Sequence, residues 1–199
     1  MFARAPVAGH AKTRLIPALG AEGAARLHAR LVWRALEVAT ASGVGPVELW
    51  CAPDCSHAFL QRCGQRHGCE LRTQPDGDLG ARMRAALERG LPAVLIGSDA
   101  PGLSTDALRS AADTLLRGDD CVLVPALDGG YALIGLAVPA PGLFEGIAWG
   151  GPDVLEQTRR RCRERGLRCA ELLPCADIDR PEDLVHCPPD LLQGLWSEH

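Results

Sequence analysis

Short apolar runs alternate with segments of helical period through the first two-thirds of the chain, and this restricts the fold more than any single motif does. The runs at 2–4, 47–51, 69–73, 93–97, 121–125 and 132–136 read as strands. Between them Ala24, Leu27, Leu31, Ala35 and Val38 recur at three- and four-residue steps, and further helices are expected at 57–66, 79–89 and from Ser104 or Thr105 to Leu116. Such alternation builds a mostly parallel sheet covered by helices on both faces, a three-layer, Rossmann-like α/β fold. The last third is less regular, with a helix expected at 154–165, a strand at 168–173 and a proline-started helix at 182–185. No repeat or linker-like stretch divides the 199 residues, so one domain spanning 1–199 is expected.

Composition excludes several classes of function. The net charge of -4 argues against a surface that coats nucleic acid, and the short Arg159-Arg160-Arg161 cluster on a helix reads as a solvated face. No apolar run approaches the roughly 20 residues of a membrane-spanning helix, and Met1 to Pro6 lacks the apolar core of a secretory signal; a cytoplasmic protein is expected. The nine cysteines form no paired CxxC units, neither at Cys51, Cys55, Cys63 and Cys69 nor at Cys162, Cys169, Cys175 and Cys187. They read as free thiols, several acting as small hydrophobes within strand patterns.

Open α/β sheets bind ligands beyond the carboxyl ends of their strands, and unusual residues follow the strands here. The loop Pro6-Val7-Ala8-Gly9-His10-Ala11-Lys12-Thr13-Arg14-Leu15 carries a glycine and two cations suited to phosphate oxygens. Lys12 is the only lysine in a chain that otherwise uses arginine. It is not a phosphate loop of the Walker type, because Pro6 and Ala11 stand where that motif has glycine. The strand at 93–97 ends in Ser98-Asp99-Ala100-Pro101, where Asp99 either binds a hard Mg²⁺ or Mn²⁺ ion bridging a diphosphate or caps the turn. Ser98 lacks the Gly-x-Ser-x-Gly setting of a nucleophile. Asp128-Gly129-Gly130-Tyr131 is either a turn or a site where Asp128 serves as base or orients an acceptor hydroxyl. In Asp177-Ile178-Asp179-Arg180-Pro181-Glu182-Asp183-Leu184 two carboxylates fall on one side of an extended segment; they complete a metal site, or Asp179 caps the helix that Pro181 opens.

Taken together, Gly9 to Leu15, Gly97 to Pro101, Asp128 to Tyr131 and Asp177 to Leu184 resemble the small bacterial transferase family, a domain of unknown function, found beside radical-SAM/selenodomain proteins. That family is similar to the glycosyltransferase-A and nucleotidyltransferase superfamily, and the resemblance covers nearly the whole chain. It implies a nucleotide-diphospho-sugar transferase (GT-A) fold in which Gly9, His10, Lys12, Thr13 and Arg14 hold donor phosphates. Asp99 with Asp177 and Asp179 would bind the metal, and Ser98, Gly129, Gly130 and Tyr131 would line the donor site. The leading expectation is metal-dependent glycosyl transfer from a nucleoside-diphosphate sugar to a small-molecule acceptor, with Asp128, Lys12 and Arg14 as the catalytic groups. Nucleotidyl transfer from a nucleoside triphosphate to a sugar or cofactor phosphate stands beside it, and a non-catalytic nucleotide-binding module is the third reading.

Overall fold

The computed structural model describes residues 1–195. Strands β1 (Phe2–Arg4), β2 (Glu48–Ala52) and β3 (Glu70–Thr73) form a parallel sheet in that order. Strands β4 (Ala93–Ile96), β5 (Cys121–Pro125), β6 (Tyr131–Leu136) and β7 (Cys169–Glu171) form a second sheet in the order β4-β6-β5-β7. β6 runs antiparallel to both its neighbours, whereas β5 and β7 are parallel. Loop length decides this: residues 126–130 between β5 and β6 suffice for a hairpin but not for a crossover, which needs a dozen or more residues.

Helices cover both faces. α1 (Ile16–Ser42), α2 (Ala58–His67) and α4 (Thr105–Leu116) supply Val32, Leu36, Leu60, Leu108 and Leu115 to a core that also takes Ala3, Leu49, Ile96, Val122 and Val124 from strands of both sheets. α3 (Leu79–Leu87) and α5 (Val154–Glu164) supply Met83, Leu87, Leu155 and Cys162 to a second core shared with Cys121, Leu123, Ile134 and Leu136. Along β5 the residues alternate between the two cores, as the two-residue period of a strand requires. Full burial of a side chain such as Leu36 or Leu123 contributes about 1.5–3 kcal/mol, so both faces are anchored. The chain is thus the three-layer α/β fold that its alternation implies.

The irregular last third follows a third apolar cluster. Ile178, Cys187, Leu191 and Leu195 pack against Leu15, Leu19, Leu27 and Leu31 of the first loop and α1. The approach is close: a Cβ on Gly23 of α1 would come within 2.8 Å of the Leu195 carbonyl oxygen. The expected helix at 182–185 is a 3₁₀ segment, Pro181–His186, and α6 (Pro189–Leu192) follows it. Among the described residues no helix is long and apolar enough to cross a membrane.

Candidate functional site

Lys12 is held in place by its neighbours. Ala11 and Leu15 are buried on either side of it, and His10 and Ala11 fold back through their amides onto the Val7 carbonyl at 2.9 and 3.0 Å. Lys12 itself adopts φ 48° and ψ 45°, the one non-glycine positive φ among the described residues. Left-handed backbone at a lysine is uncommon and persists where other contacts impose it. Those contacts are at the end of its side chain. The ammonium lies 2.8 Å from Asp99 Oδ1 and 2.6 Å from Asp179 Oδ1, with only 5% of the side chain exposed.

Three remote segments therefore meet at one charge. Burial alone would lower the Lys12 pKa, but Asp99 and Asp179 outweigh it and hold the ammonium protonated above its usual range. Burial would likewise raise Asp99, yet Lys12, then His28, then the Lys12 and Ser98 hydrogen bonds keep it ionised below the ordinary carboxylate range. Ser98 Oγ donates to Asp99 Oδ1 at 3.0 Å, and the Ile178 amide donates to the Asp99 carbonyl at 2.8 Å, tying the end of β4 to the late segment. Asp179 does not cap the 3₁₀ segment: Asp183 Oδ2 accepts from the Asp179 and Arg180 amides at 3.0 and 2.7 Å. Arg14 Nη1 is 3.8 Å from Asp179 Oδ2 and more than half exposed.

These groups form one wall of a cleft of about 670 Å³ at the carboxyl ends of the strands. Asp177 also lines it, and its pKa is pushed up to about 6 by burial first and then by Asp128, Asp179 and Asp183. Asp128 keeps Oδ1 on the Gly130 amide at 2.8 Å, so the turn reading of this motif holds while the carboxylate still faces the cleft. A separate part of the lining, the apolar wall, is built from Met83, Tyr131, Trp149 and Val154. Tyr131 is half-buried, and the burial of its hydroxyl pushes that group's pKa up; its Oη lies 3.9 Å from Met83 Sδ.

Residues 35–151 match the family described as an uncharacterized protein conserved in bacteria (DUF2064). The chain belongs to this family. Among solved structures, a Desulfovibrio desulfuricans G20 protein assigned as a nucleotide-diphospho-sugar transferase is 29% identical, aligns over 92% of this chain and 82% of its own, and has a TM-score of 0.81. A Leptospira borgpetersenii cytidylyltransferase, 13% identical over 85% of this chain and 88% of its own, shares the fold with a TM-score of 0.53. So does a Methanothermobacter nucleotidyl transferase, 15% identical over 82% and 81%, with a TM-score of 0.56. No curated protein matches the sequence. The DUF2064 chain therefore has the GT-A-like fold of nucleotide-diphospho-sugar transferases.

Within this fold the expected residues separate into two groups. His10, Lys12, Thr13, Arg14, Ser98, Asp99, Asp128, Gly130, Tyr131, Asp177 and Asp179 line the cleft, whereas Gly9 and Gly129 stand outside its wall. Gly9 serves the turn, with φ 79°. Gly129 has φ 91° and lies so close to the Pro152 carbonyl that any Cβ would overlap it, and its own carbonyl accepts from Leu155 N at 2.8 Å. It docks the segment that carries Trp149 and Val154. Sequence reasoning missed His28 and Trp149. His28 is buried; its Nε2–H donates to the Arg4 carbonyl at 2.9 Å, while Nδ1 has no hydrogen-bond partner and lies 4.0 Å from Asp99 Oδ1. Burial lowers its pKa. Trp149 Nε1 is likewise buried without a partner. His28 sits four residues after Ala24 on the apolar stripe, so a titratable residue on a core face was the available signal.

Proposed function

We propose that this chain, acting as one domain over residues 1–199, is a metal-dependent transferase that takes a nucleoside-diphosphate sugar and passes the sugar to a small-molecule acceptor. One observation carries the reading: Lys12, Asp99 and Asp179, drawn from three segments, converge at the mouth of a cleft large enough for a nucleotide sugar. The 29%-identical Desulfovibrio protein supports the substrate class. Asp99 and Asp179 hold Lys12, and no three carboxylates among the described residues offer oxygens within 4.8 Å of one another, so an ion would have to draw its ligands together; Asp177 is crowded by Asp128, Asp179 and Asp183, and a cation would relieve that repulsion. Asp99, Asp179 and Asp177 would hold Mg²⁺ or Mn²⁺, which supplies positive charge to the leaving diphosphate.

The chain's own groups do the rest. Lys12 keeps Asp99 ionised and holds both Asp99 and Asp179 in position before the donor arrives, and Arg14, half in solvent, turns to the diphosphate. As the bond from sugar to diphosphate breaks, negative charge grows on the diphosphate oxygens, and these cations stabilise it more than in the ground state. Asp128, with Oδ1 fixed on the Gly130 amide, uses Oδ2 to orient the acceptor hydroxyl and take its proton. The apolar wall excludes water and receives the acceptor.

Nucleotidyl transfer is the second reading, supported by the exposed Arg14 at the end of the Gly9-to-Arg14 loop, where departing pyrophosphate would be met. One experiment separates them. Incubation with sugar nucleotides, Mn²⁺ and a panel of hydroxyl-bearing small-molecule acceptors should release nucleoside diphosphate as the sugar passes to the acceptor, and Asp99→Asn should remove the metal-dependent part of donor binding with the fold intact. Pyrophosphate release from a nucleoside triphosphate and a sugar phosphate would replace the first reading by the second. Metal-dependent donor binding with neither product would leave a binding module.

A further inference from the structure

The end of the molecule opposite the cleft carries a cluster that plays no part in the function proposed above. Cys121 opens β5, Cys169 opens β7, and Cys162 lies in the last turn of α5. Their sulfur atoms all lie within 4.8 Å of one another, the only set of three histidine, cysteine or carboxylate ligand atoms so close among the described residues. Cys121 and Cys162 are buried, and Cys169 is half-buried at the rim. Neighbouring helix residues Leu155 and Thr158 are buried with Cys162, which fixes the face that Cys162 presents to the sheet.

We infer that Cys121, Cys162 and Cys169 bind a thiophilic metal ion, with Zn²⁺ the case that charge favours. Zinc–sulfur bonds of about 2.3 Å set sulfur atoms about 3.8 Å apart around a tetrahedral ion, a closure of about 1 Å from the observed limit. Three thiolates and Zn²⁺ leave one net negative charge, whereas Cu⁺ leaves two, and buried charge is costly. Water entering beside half-buried Cys169 completes the four ligands, the pattern of three protein groups and one open position. A disulfide suits the pair on the sheet less well. Cys121 and Cys169 are direct partners in a parallel register, where strands stand about 4.8 Å apart, while a disulfide draws its Cβ atoms to about 3.8 Å. The paired CxxC units of a zinc ribbon are not needed here, because two adjacent strands and a crossing helix supply the convergence.

The test uses the full-length chain, reduced and stripped of metal. Titration with Co²⁺ should give one equivalent of thiolate-to-cobalt charge-transfer absorption, displaced by Zn²⁺, and bound Zn²⁺ should protect Cys169 but not Cys55 from alkylation. Cys162→Ala and Cys169→Ser should each weaken binding at least tenfold, and Cys55→Ser should not change it. A parallel Cu⁺ titration in which copper displaces Zn²⁺ stoichiometrically from the same three thiols would keep the site and change its ion. Absence of the charge-transfer band in the reduced wild-type chain, or an unchanged band in the Cys162→Ala/Cys169→Ser double variant, would overturn the inference. The alkylation readout needs no variant, so it stands even where a substitution unfolds the chain.

Discussion

The two walls of the cleft are finished to different degrees. On the charged wall Lys12, Asp99 and Asp179 satisfy one another at 2.6 and 2.8 Å, and Ser98 adds a hydroxyl donor. On the apolar wall Trp149 Nε1 has no partner, and Tyr131 Oη lies 3.9 Å from a thioether sulfur. Buried donors are normally paired, and each that is not marks either strain or a ligand yet to arrive. The charged wall is thus internally paired, with a cation standing among its carboxylates. The apolar wall is shaped by packing and leaves the Trp149 N–H without an acceptor.

Breaking the charged wall should give the largest effect. Lys12→Met removes the ammonium while keeping the length of the side chain, leaving Asp99 and Asp179 facing each other uncompensated. Removing one partner of such a cluster costs roughly 2 kcal/mol, since both carboxylates retain some water. For a chain of this size that is a fall in Tm of about 4–8 °C. If the wall is also a cation site, Mn²⁺ should restore more stability to the variant than to the wild type. Equal effects of Mn²⁺ on the two would make Lys12 a structural group alone.

The apolar wall should respond more weakly and on a different substrate. Trp149→Phe keeps a ring against Phe144 but deletes the unpaired N–H. Loss of one ligand hydrogen bond is worth about 1 kcal/mol, or about fivefold in acceptor KM, with donor affinity unchanged. A change in donor affinity of the same size would mean that the two walls do not divide the substrates.

How each wall appears in the sequence follows from how it is built. The strands and helices were legible because burial on alternate faces writes a period of two or of three to four, as Cys121 to Pro125 and the α1 stripe show. Boundaries drifted where packing on one side only sets them: β7 pairs with β5 alone and covers 169–171 rather than 168–173. The charged wall was legible as residues but not as contacts. A lone lysine marks a need for a cation, yet whether it answers phosphates or carboxylates depends on Asp179, 167 residues away. Local spacing left Asp179 undecided between cap and site; Asp183 takes the capping role, and Asp179 pairs with Lys12. His28 was hidden because a buried histidine on an apolar stripe looks like core. Trp149 lies in a Gly- and Pro-rich segment where no period exists to be read.

An effect of similar size, on stability and its pH dependence, is expected at Asp177, which also lines the cleft. Its carboxyl is pushed from 3.8 to about 6, by burial first and then by Asp128, Asp179 and Asp183, so the folded chain prefers it neutral. Below pH 4 the group is protonated in folded and unfolded chains alike and contributes nothing. As pH rises from 4 to 6 the unfolded chain ionises it freely while the folded chain resists, so stability falls across that window and stays lower above it. The residue is only half-buried, which reduces the loss to about 1 kcal/mol. Asp177→Asn mimics the neutral form. It should match the wild type at pH 4 and exceed it at pH 7 by that amount in chemical denaturation without metal. A divalent ion favours the charged carboxylate, so saturating Mn²⁺ should cancel or reverse the slope in the wild type and do neither in the variant. Parallel stability curves for the two proteins between pH 4 and 7 would show that Asp177 is solvated, and that the carboxylates of this cleft are not crowded enough to call for a cation.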